Sequence, residues 1–226
     1  HVRSRRQRQM CIRDSGTTAV QLTDAPGYNA ETTTHPSERK VIFTSMREGD
    51  IDLYEMDYDG KNIKRITDEF GYDGGAFYSP DGNSIVWRAW YPSNEEEKEK
   101  WSVNLTNRYI DAVPLDIYVA KRDGSDKKRL TDNGATNWSP SWHPDGKHII
   151  FSSNKDDWRD DYNAYGSNFE LYMIHIESLK IQRLTNNDTF DSFPVISKNG
   201  KITFSSNRNA KNPRQTNIFI GSIEYK

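Results

Sequence analysis

A column of asparagine and aspartate residues is the clearest candidate for chemistry in this chain. Its members share one place, the start of the first strand in each of four repeated units: Asn29, Asp73, Asn137 and Asp191. If the units surround a common axis, these side chains form a polar, partly acidic ring that could hold a cation, an amine or a peptide. Asn and Asp also bond to the local backbone at strand-entry turns. A ligand-binding ring is therefore predicted, with the turn role as the alternative.

Two of the five histidines, His35 and His143, share the repeat position before the turn. Imidazoles there could line a channel as a metal or proton site, or they could bond to their own turn. The other two units have Ser79 and Ser197 at this position. Because serine cannot replace an imidazole that ligates a metal, the turn role is favoured and no metal site is predicted.

Motifs of catalysis and of cofactor binding are absent from the sequence. There is no Gly-x-Ser-x-Gly, no His-Glu-x-x-His, no phosphate loop and no Gly-x-Gly-x-x-Gly. Four aspartates in the segment 155–168 lack the glycine and distal glutamate of a helix-loop-helix calcium loop. They are Asp156, Asp157, Asp160 and Asp161. No catalytic residue and no cofactor are predicted, so the chain is interpreted as a non-enzyme.

A turn motif repeats through the chain. Pro-Asp-Gly at 144–146 joins two extended segments, since proline sets its own φ and glycine accepts a positive φ. Two markers keep step with it, separated by 44, 64 and 54 residues in each case. The turn marker is at Pro36, Pro80, Pro144 and Lys198, and the end-of-unit marker is at Thr23, Thr67, Thr131 and Thr185. This shared spacing indicates homologous units.

Each unit is predicted to be one four-stranded blade of a β-propeller. Apolar residues are consecutive in the second strands, as at 41–43 and 149–151, so both faces of each small sheet must be covered. Neighbouring blades cover both faces, whereas a two-sheet sandwich would show strict alternation. The predicted class is all-β, a partial β-propeller of about four four-stranded antiparallel blades. Their predicted bounds are 28–68, 72–132, 136–186 and 190–223.

Two insertions lie between the second and third strands of units two and three. The first, 91–114, contains the Glu- and Lys-rich run 95–101, which is predicted to be a helix capped by Ser93 or Asn94. The second, 155–168, is rich in aspartate and aromatic residues. Because both occupy the same loop position, they should project from one face. Loops on a rigid scaffold are where binding usually resides.

The bulk composition excludes some partners. The chain has 226 residues, a formal net charge of −2 and 12% aromatic residues, which supply a core despite the low hydrophobic content. This net charge does not indicate a basic surface that would bind nucleic acid. No apolar run of about 18 residues is present, so no membrane span is predicted.

The first fifteen residues differ from the rest. They contain five arginines and one acid, and 1–15 is predicted to be a disordered head outside the domain 16–226. The segment from Met10 to Ser15 looks like a translated sequencing adapter, which would make the chain a metagenomic fragment. The single cysteine, Cys11, lies in this head and gives no information on redox environment.

At the repeated turn the chain resembles the TolB-like β-propeller family. The matching phrases are His-Pro-Asp-Gly-Lys at 143–147, Leu-Tyr at 171–172 and Arg-Leu-Thr at 183–185. Units one and four depart from the turn pattern, with Ser-Glu-Arg at 37–39 and Lys-Asn-Gly at 198–200. The resemblance implies a periplasmic protein of the Tol–Pal type that binds protein partners at the cell envelope.

A lone outer strand is predicted at 18–24. It could complete the last unit and close the ring, or it could belong to a preceding blade. Because TolB-like propellers commonly have six or more blades, missing upstream blades are favoured.

Three functions are compatible with this sequence. The favoured one is a non-enzymatic, envelope-associated propeller that binds a protein or peptide over its loop face. The second is the accessory propeller of a larger hydrolase, such as a serine peptidase or a tricorn-like protease, whose catalytic domain lies outside this chain. The third is a propeller that binds a carbohydrate or another small molecule at the polar ring.

Overall fold

The computed structural model describes residues 20–110, 113–157, 168–188, 190–212 and 215–223. The predicted head at 1–15 lies outside these residues. Four antiparallel sheets and one helix, α1 (Glu95–Thr106), make up the described secondary structure. The strands are β1 Asn29–Thr34, β2 Lys40–Ser45, β3 Asp52–Asp57, β4 Lys64–Arg65, β5 Tyr72–Tyr78, β6 Ser84–Trp90, β7 Asp116–Lys121, β8 Lys128–Arg129, β9 Asn137–Trp142, β10 His148–Ser153, β11 Glu170–His175, β12 Ile181–Arg183, β13 Asp191–Ile196, β14 Lys201–Ser206 and β15 Asn217–Ser222.

Each sheet is an antiparallel meander of strands in chain order. Blades 1, 2 and 3 are β1–β4, β5–β8 and β9–β12, and blade 4 has the three described strands β13–β15. Blade 1 packs on blade 2, blade 2 on blade 3 and blade 3 on blade 4. The described strands of blades 1 and 4 do not pack on each other in this way, so the arc is open between them. The predicted all-β partial propeller is confirmed.

The core lies between the blades. In blade 3 the consecutive residues Ile149, Ile150 and Phe151 are fully buried. Ile149 and Phe151 pack against blade 2, whereas Ile150 packs against blade 4. Successive side chains of a strand point to opposite faces, and here each face meets a neighbouring blade. This is the arrangement that the uninterrupted apolar runs predict.

One aliphatic residue after each outer strand packs on the following blade. Ile66 contacts the core of blade 2, Leu130 that of blade 3 and Leu184 that of blade 4. Leu22 contacts Val41, Phe43 and other core residues of blade 1 in the same way. No strand is assigned to 20–24, yet this segment occupies the place that an outer segment of a preceding blade would take.

An acid, an arginine and a threonine form the same hydrogen-bonded group in three blades. In blade 2, Thr131 Oγ1 donates to Asp116 Oδ1 at 2.7 Å and accepts from the Ile117 N–H at 2.9 Å, while Arg129 Nε donates to Asp116 Oδ2 at 3.0 Å. The equivalent groups are Asp52, Arg65 and Thr67 in blade 1, and Glu170, Arg183 and Thr185 in blade 3. The Arg-Leu-Thr ending of each unit therefore fastens the outer strand to the third strand.

A β-bulge recurs at one position of every innermost strand. The residue there has a left-handed backbone, with φ of 56° at Glu31, 64° at Gly75, 49° at Ser139 and 56° at Phe193. The strand register shifts at this point in all four blades. Bulges bend a strand and redirect its side chains. This bulge was not predicted from the sequence, because among the four residues only Gly75 is of a type that favours a positive φ.

Candidate functional site

The helix of the first insertion is fixed to the propeller by one buried tryptophan. Trp101 is 1% exposed, and its Nε1 donates to Asp50 Oδ1 at 2.9 Å. Its ring meets Trp90 edge-on, with 5.5 Å between the centroids. The second carboxylate oxygen of Asp50, Oδ2, accepts from the Gly71 N–H at 2.8 Å. The insertion is therefore held by both blade 1 and the segment that enters blade 2.

The start of α1 follows the sequence prediction. Asn94 is the N-cap, and its side chain accepts from the Glu97 N–H at 2.9 Å. Glu97 Oε2 in turn accepts from the Ser93 N–H at 2.7 Å. This reciprocal pair satisfies two backbone donors that the helix itself leaves unpaired.

A groove lies between this insertion and blade 1. Its first cavity, about 300 Å³ in volume, is mostly apolar in lining. The lining residues are Gly27, Tyr28, Met46, Ile51, Leu105, Arg108, Tyr109 and Ile110. Tyr109 and Ile110 at its rim are 58% and 41% exposed. Exposed apolar side chains beside a concave apolar surface are typical of a binding site.

A second cavity of about 240 Å³ continues the groove towards the innermost strands. It shares Tyr28 and Ile110 with the first cavity. Its other lining residues are Glu31, Tyr72, Arg88, Val113, Leu115 and Trp138. We call the two cavities together the insertion groove. One end is apolar and the other contains an ion pair.

That ion pair joins Arg88 of blade 2 to Glu31 of blade 1. Arg88 is 5% exposed and donates through Nη2 to Glu31 Oε1 and, at 2.8 Å, to the Tyr72 hydroxyl. Its guanidinium also lies 4.2 Å from the ring centroid of Trp138, in blade 3. A buried charge needs such partners, because desolvation disfavours it. Three blades therefore meet at this arginine.

Burial in the protein affects two members of this network, Tyr72 and Arg88. Burial raises the pKa of Tyr72 well above its usual value, so its hydroxyl stays protonated at neutral pH. Among the described residues, Arg88 Nε is a buried donor without a hydrogen-bond partner. Sequence analysis missed the network. The available signal was an arginine inside the otherwise apolar run 85–90.

The four residues of the predicted polar ring lie at the blade edge from which the insertions project, since Asn29, Asn137 and Asp191 start their first strands and Asp73 is the second residue of β5. Asn137, Asp73 and Asp191 have no exposed surface, and Asn29 is partly buried. Asn29 and Asn137 each accept a hydrogen bond from a serine hydroxyl at the end of the second strand, Ser45 at 2.7 Å and Ser153 at 2.9 Å. Because internal partners engage these side chains, a ligand role for the ring stays a prediction.

Asp73 is the ring member with unusual electrostatics. Its Oδ1 accepts from Trp87 Nε1 at 2.6 Å and from the Tyr91 hydroxyl at 2.7 Å, while its Oδ2 has no partner among the described residues. Burial raises the pKa of Asp73 to about 7, although both hydrogen bonds act in the opposite direction. Asp191 differs, because Arg208 pairs with its Oδ2.

The two histidines at the turn position bond to the turn backbone. His35 Nδ1 accepts from the Glu38 N–H at 2.9 Å, and its Nε2 lies 3.2 Å from the Gly82 carbonyl oxygen in blade 2. His143 Nδ1 accepts from the Asp145 N–H at 3.2 Å. Both turns lie at the blade edge opposite to the insertions, far from the predicted ring.

The aspartates of the second insertion are only partly described. Asp156 Oδ2 accepts from the Tyr172 hydroxyl at 2.8 Å and from Arg183 Nη1 at 3.2 Å. Asp157 Oδ2 accepts from the Asn168 N–H at 3.0 Å. The segment that contains Asp160 and Asp161 lies outside the described residues. Asp156 and Asp157 thus serve as acceptors within blade 3.

The fold and part of the sequence are similar to known propellers. The structure of TolB from Acinetobacter baumannii matches with a TM-score of 0.67 at 20% identity, over 89% of this chain and 43% of that one. The Tol-Pal system protein TolB of Francisella tularensis is 30% identical over 129 residues, which are 55% of this chain and 26% of that protein. A TolB homolog from Chlorobaculum tepidum is 31% identical over 118 residues, 42% of this chain and 27% of that protein. The chain folds as a β-propeller and is similar to TolB in fold and in part of its sequence.

The TolB-like propeller is also similar to proteins with other names. The uncharacterized peptidase YuxL of Bacillus subtilis is 29% identical over 141 residues, which are 53% of this chain and 21% of that protein. No protein-family model matches the chain. The chain spans about a quarter of the length of the TolB relatives it matches. Among the described residues, no helix combines the length and apolar character needed to cross a membrane.

Proposed function

We propose that this TolB-like propeller is a non-enzymatic, periplasmic binding protein that takes up an extended protein segment in the insertion groove. The main support is the groove itself, where the C-terminal end of the first insertion's helix and blade 1 flank a mostly apolar cavity of about 300 Å³. A cavity of this size suits one or two large apolar side chains of a peptide. Similarity to TolB relatives supports the envelope location.

The inner end of the groove complements a peptide backbone. Glu31 offers carboxylate acceptors and Arg88 offers donors, and together they are close to neutral. An amide group has one donor and one acceptor, so it can bond to such a pair without adding charge. Trp138 and Tyr72 beside the pair supply flat apolar surface. A peptide with an apolar side chain in the outer cavity fits both ends.

The test is a binding titration with short synthetic probes. Blocked hexapeptides with leucine or phenylalanine at the centre are titrated into the propeller, with tryptophan fluorescence as readout. Ile110→Asp, at the rim of the groove, should abolish binding because it places a charge on the apolar lining. Val103→Asp is the matched control, since Val103 is 53% exposed on α1 but does not line the groove. If both variants bind as the parent does, or if no hexapeptide saturates, the proposal is wrong.

The similarity to the peptidase YuxL supports a second candidate, the accessory propeller of a larger hydrolase. In that case the groove would guide a peptide towards a catalytic domain outside this chain. The complete coding sequence decides between the two. A Gly-x-Ser-x-Gly motif downstream, with labelling of the full-length protein by a fluorophosphonate, would favour the hydrolase.

A further inference from the structure

Three histidines and one aspartate gather at the edge of blade 3 opposite to the insertion groove. We propose that His143, Asp145 and His148 bind one divalent transition-metal cation of the Zn²⁺ class, with the ring of His175 packed beside His148. The site is separate from the proposed peptide-binding function. It rests on side chains from the β9–β10 turn and from β10 and β11.

The three main ligand atoms already converge. Asp145 Oδ2 lies 2.7 Å from His148 Nδ1 and 3.1 Å from His143 Nδ1, and all three atoms fall within 4.8 Å of one another. Ligands of a tetrahedral zinc ion, bound at about 2.0–2.2 Å, are separated by roughly 3.3 Å. Widening these contacts by a few tenths of an ångström therefore makes room for the ion.

His175 approaches from the neighbouring strand. Its ring centroid is 4.9 Å from that of His148, and the two residues are paired in the β10–β11 register. His175 Nδ1 accepts from the backbone N–H groups of Glu177 and Ser178, so in the neutral ring Nε2 carries the proton and His175 does not ligate a metal in this arrangement. Its ring instead packs edge-on against His148 and positions that imidazole.

The fold does not require these imidazoles. In blades 2 and 4 the same turn is closed by Ser79 with Asp81 and by Ser197 with Asn199. The strand pair occupied by His148 and His175 is Lys40 with Asp57 in blade 1, Ser84 with Lys121 in blade 2 and Lys201 with Ser222 in blade 4. Only blade 3 brings three histidines to this edge in the described part of the chain. Its composition therefore points to a role beyond turn formation.

Solvent access and ligand type both suit a transition-metal cation. The Asp145 side chain is 34% exposed, so an ion can reach the site from solvent. Two imidazoles with one carboxylate favour zinc, copper or nickel over calcium or magnesium.

His143 has a competing structural role. Its Nδ1 accepts the Asp145 N–H, so ligation through that atom replaces a turn hydrogen bond. The decisive variants are therefore at His148 and His175, which the turn does not use in the other blades. His148→Ser copies Ser84 of blade 2, and His175→Lys copies Lys121.

The experiment uses untagged protein with Cys11→Ser, so that neither a tag nor the thiol binds metal. ZnCl₂ is titrated by calorimetry, and CoCl₂ by visible absorption, which becomes intense in a tetrahedral site. We expect one ion per chain, and His148→Ser should weaken binding by roughly 10–100-fold or more. His175→Lys should also weaken it, because it places a cationic side chain beside His148.

His35→Ser is the matched control, because His35 occupies the same turn position in blade 1 without a second histidine nearby, and it should leave the affinity unchanged. Far-ultraviolet circular dichroism checks that each variant is folded. The proposal is overturned if zinc binding does not saturate, or if folded His148→Ser binds as the parent does.

Discussion

Trp101 Nε1 donates a hydrogen bond to Asp50 Oδ1 at 2.9 Å, across 51 residues of sequence. The contact joins the helix of the insertion to the segment between the second and third strands of blade 1. Both walls of the insertion groove depend on it, since Leu105 lies one turn further along α1 and Ile51 follows Asp50. The groove is thus a product of tertiary contacts, and this buried hydrogen bond joins its two walls beside the apolar cluster that contains Ile51 and Leu105.

Trp101→Phe tests this contact. The variant keeps an aromatic ring but removes the donor, so Asp50 loses one of its partners in a buried position. We expect the free energy of unfolding to fall by about 1–3 kcal/mol. Urea denaturation followed by circular dichroism measures it, with Ser102→Ala on the exposed side of α1 as the control. Equal stability of Trp101→Phe and the parent would show that the hydrogen bond is dispensable.

Glu31→Gln tests the ion pair at the inner end of the groove. Removing one partner leaves the charge of Arg88 buried without compensation, which costs about 3–5 kcal/mol in well-buried pairs. We expect the lower end of that range, because the Glu31 side chain is 24% exposed. The double variant Glu31→Gln with Arg88→Met should recover part of the loss. Additive losses in this double-mutant cycle, measured by urea denaturation, would contradict a coupling between the two residues.

Gly75→Ala tests the bulge of blade 2. A Cβ at this position would overlap Arg88 Nη1, and φ is 64°. Gly134→Ala is the matched control, because φ is 69° there but no atom lies within 4 Å of the added carbon. Both variants lose about 1–2 kcal/mol to left-handed strain. Gly75→Ala should lose clearly more and should shift the fluorescence of Trp138. Equal melting temperatures for the two variants would refute the close approach.

Asp73→Asn tests the raised pKa of a buried carboxyl. In the unfolded chain an aspartate titrates near 3.8, whereas in the folded chain Asp73 has a pKa of about 7. The native state therefore retains a proton that the unfolded state releases, and this group's contribution to stability falls as pH rises from about 4 to about 7. Asparagine accepts the same two hydrogen bonds and does not titrate.

The expected result is that Asp73→Asn becomes more stable relative to the parent as pH rises, by roughly 1–3 kcal/mol between pH 5 and pH 8. Blades 1 and 3 have Asn29 and Asn137 at the equivalent position, so the fold accepts the amide. Thermal unfolding at both pH values measures the difference, with the exposed Asp68→Asn as control. A difference that does not change with pH would exclude the raised pKa.

Much of the fold could be predicted because the repeated features depend on residues that are close together in the sequence. The turn residues, the apolar runs at 41–43 and 149–151 and the helix beginning after Asn94 each depend on neighbours a few positions away. The threonine at the end of each unit was recognised only as a marker. The structure gives its reason, since Thr131 bonds to the acid at Asp116 in the third strand.

The candidate site was harder to predict because its members come from different blades. Glu31 and Arg88 are 57 residues apart, and their contact requires the angle between two blades. His148 and His175 meet only through the β10–β11 register, on either side of the second insertion. The residues of the predicted ring lie at or next to the starts of the first strands, but the sequence does not show that their side chains bond to internal partners.

One aliphatic residue at the end of each outer segment packs on the blade that follows it in the chain. These residues are Leu22, Ile66, Leu130 and Leu184. The repeated sequence unit therefore does not coincide with the hydrophobic packing unit, because the core of each blade includes one aliphatic residue from the segment that precedes it. A recombination junction between an outer strand and the aliphatic residue that follows it would separate that residue from its own unit. A junction after the threonine of each unit keeps the aliphatic residue with its gene segment, so shuffling of such modules is expected to succeed at those junctions.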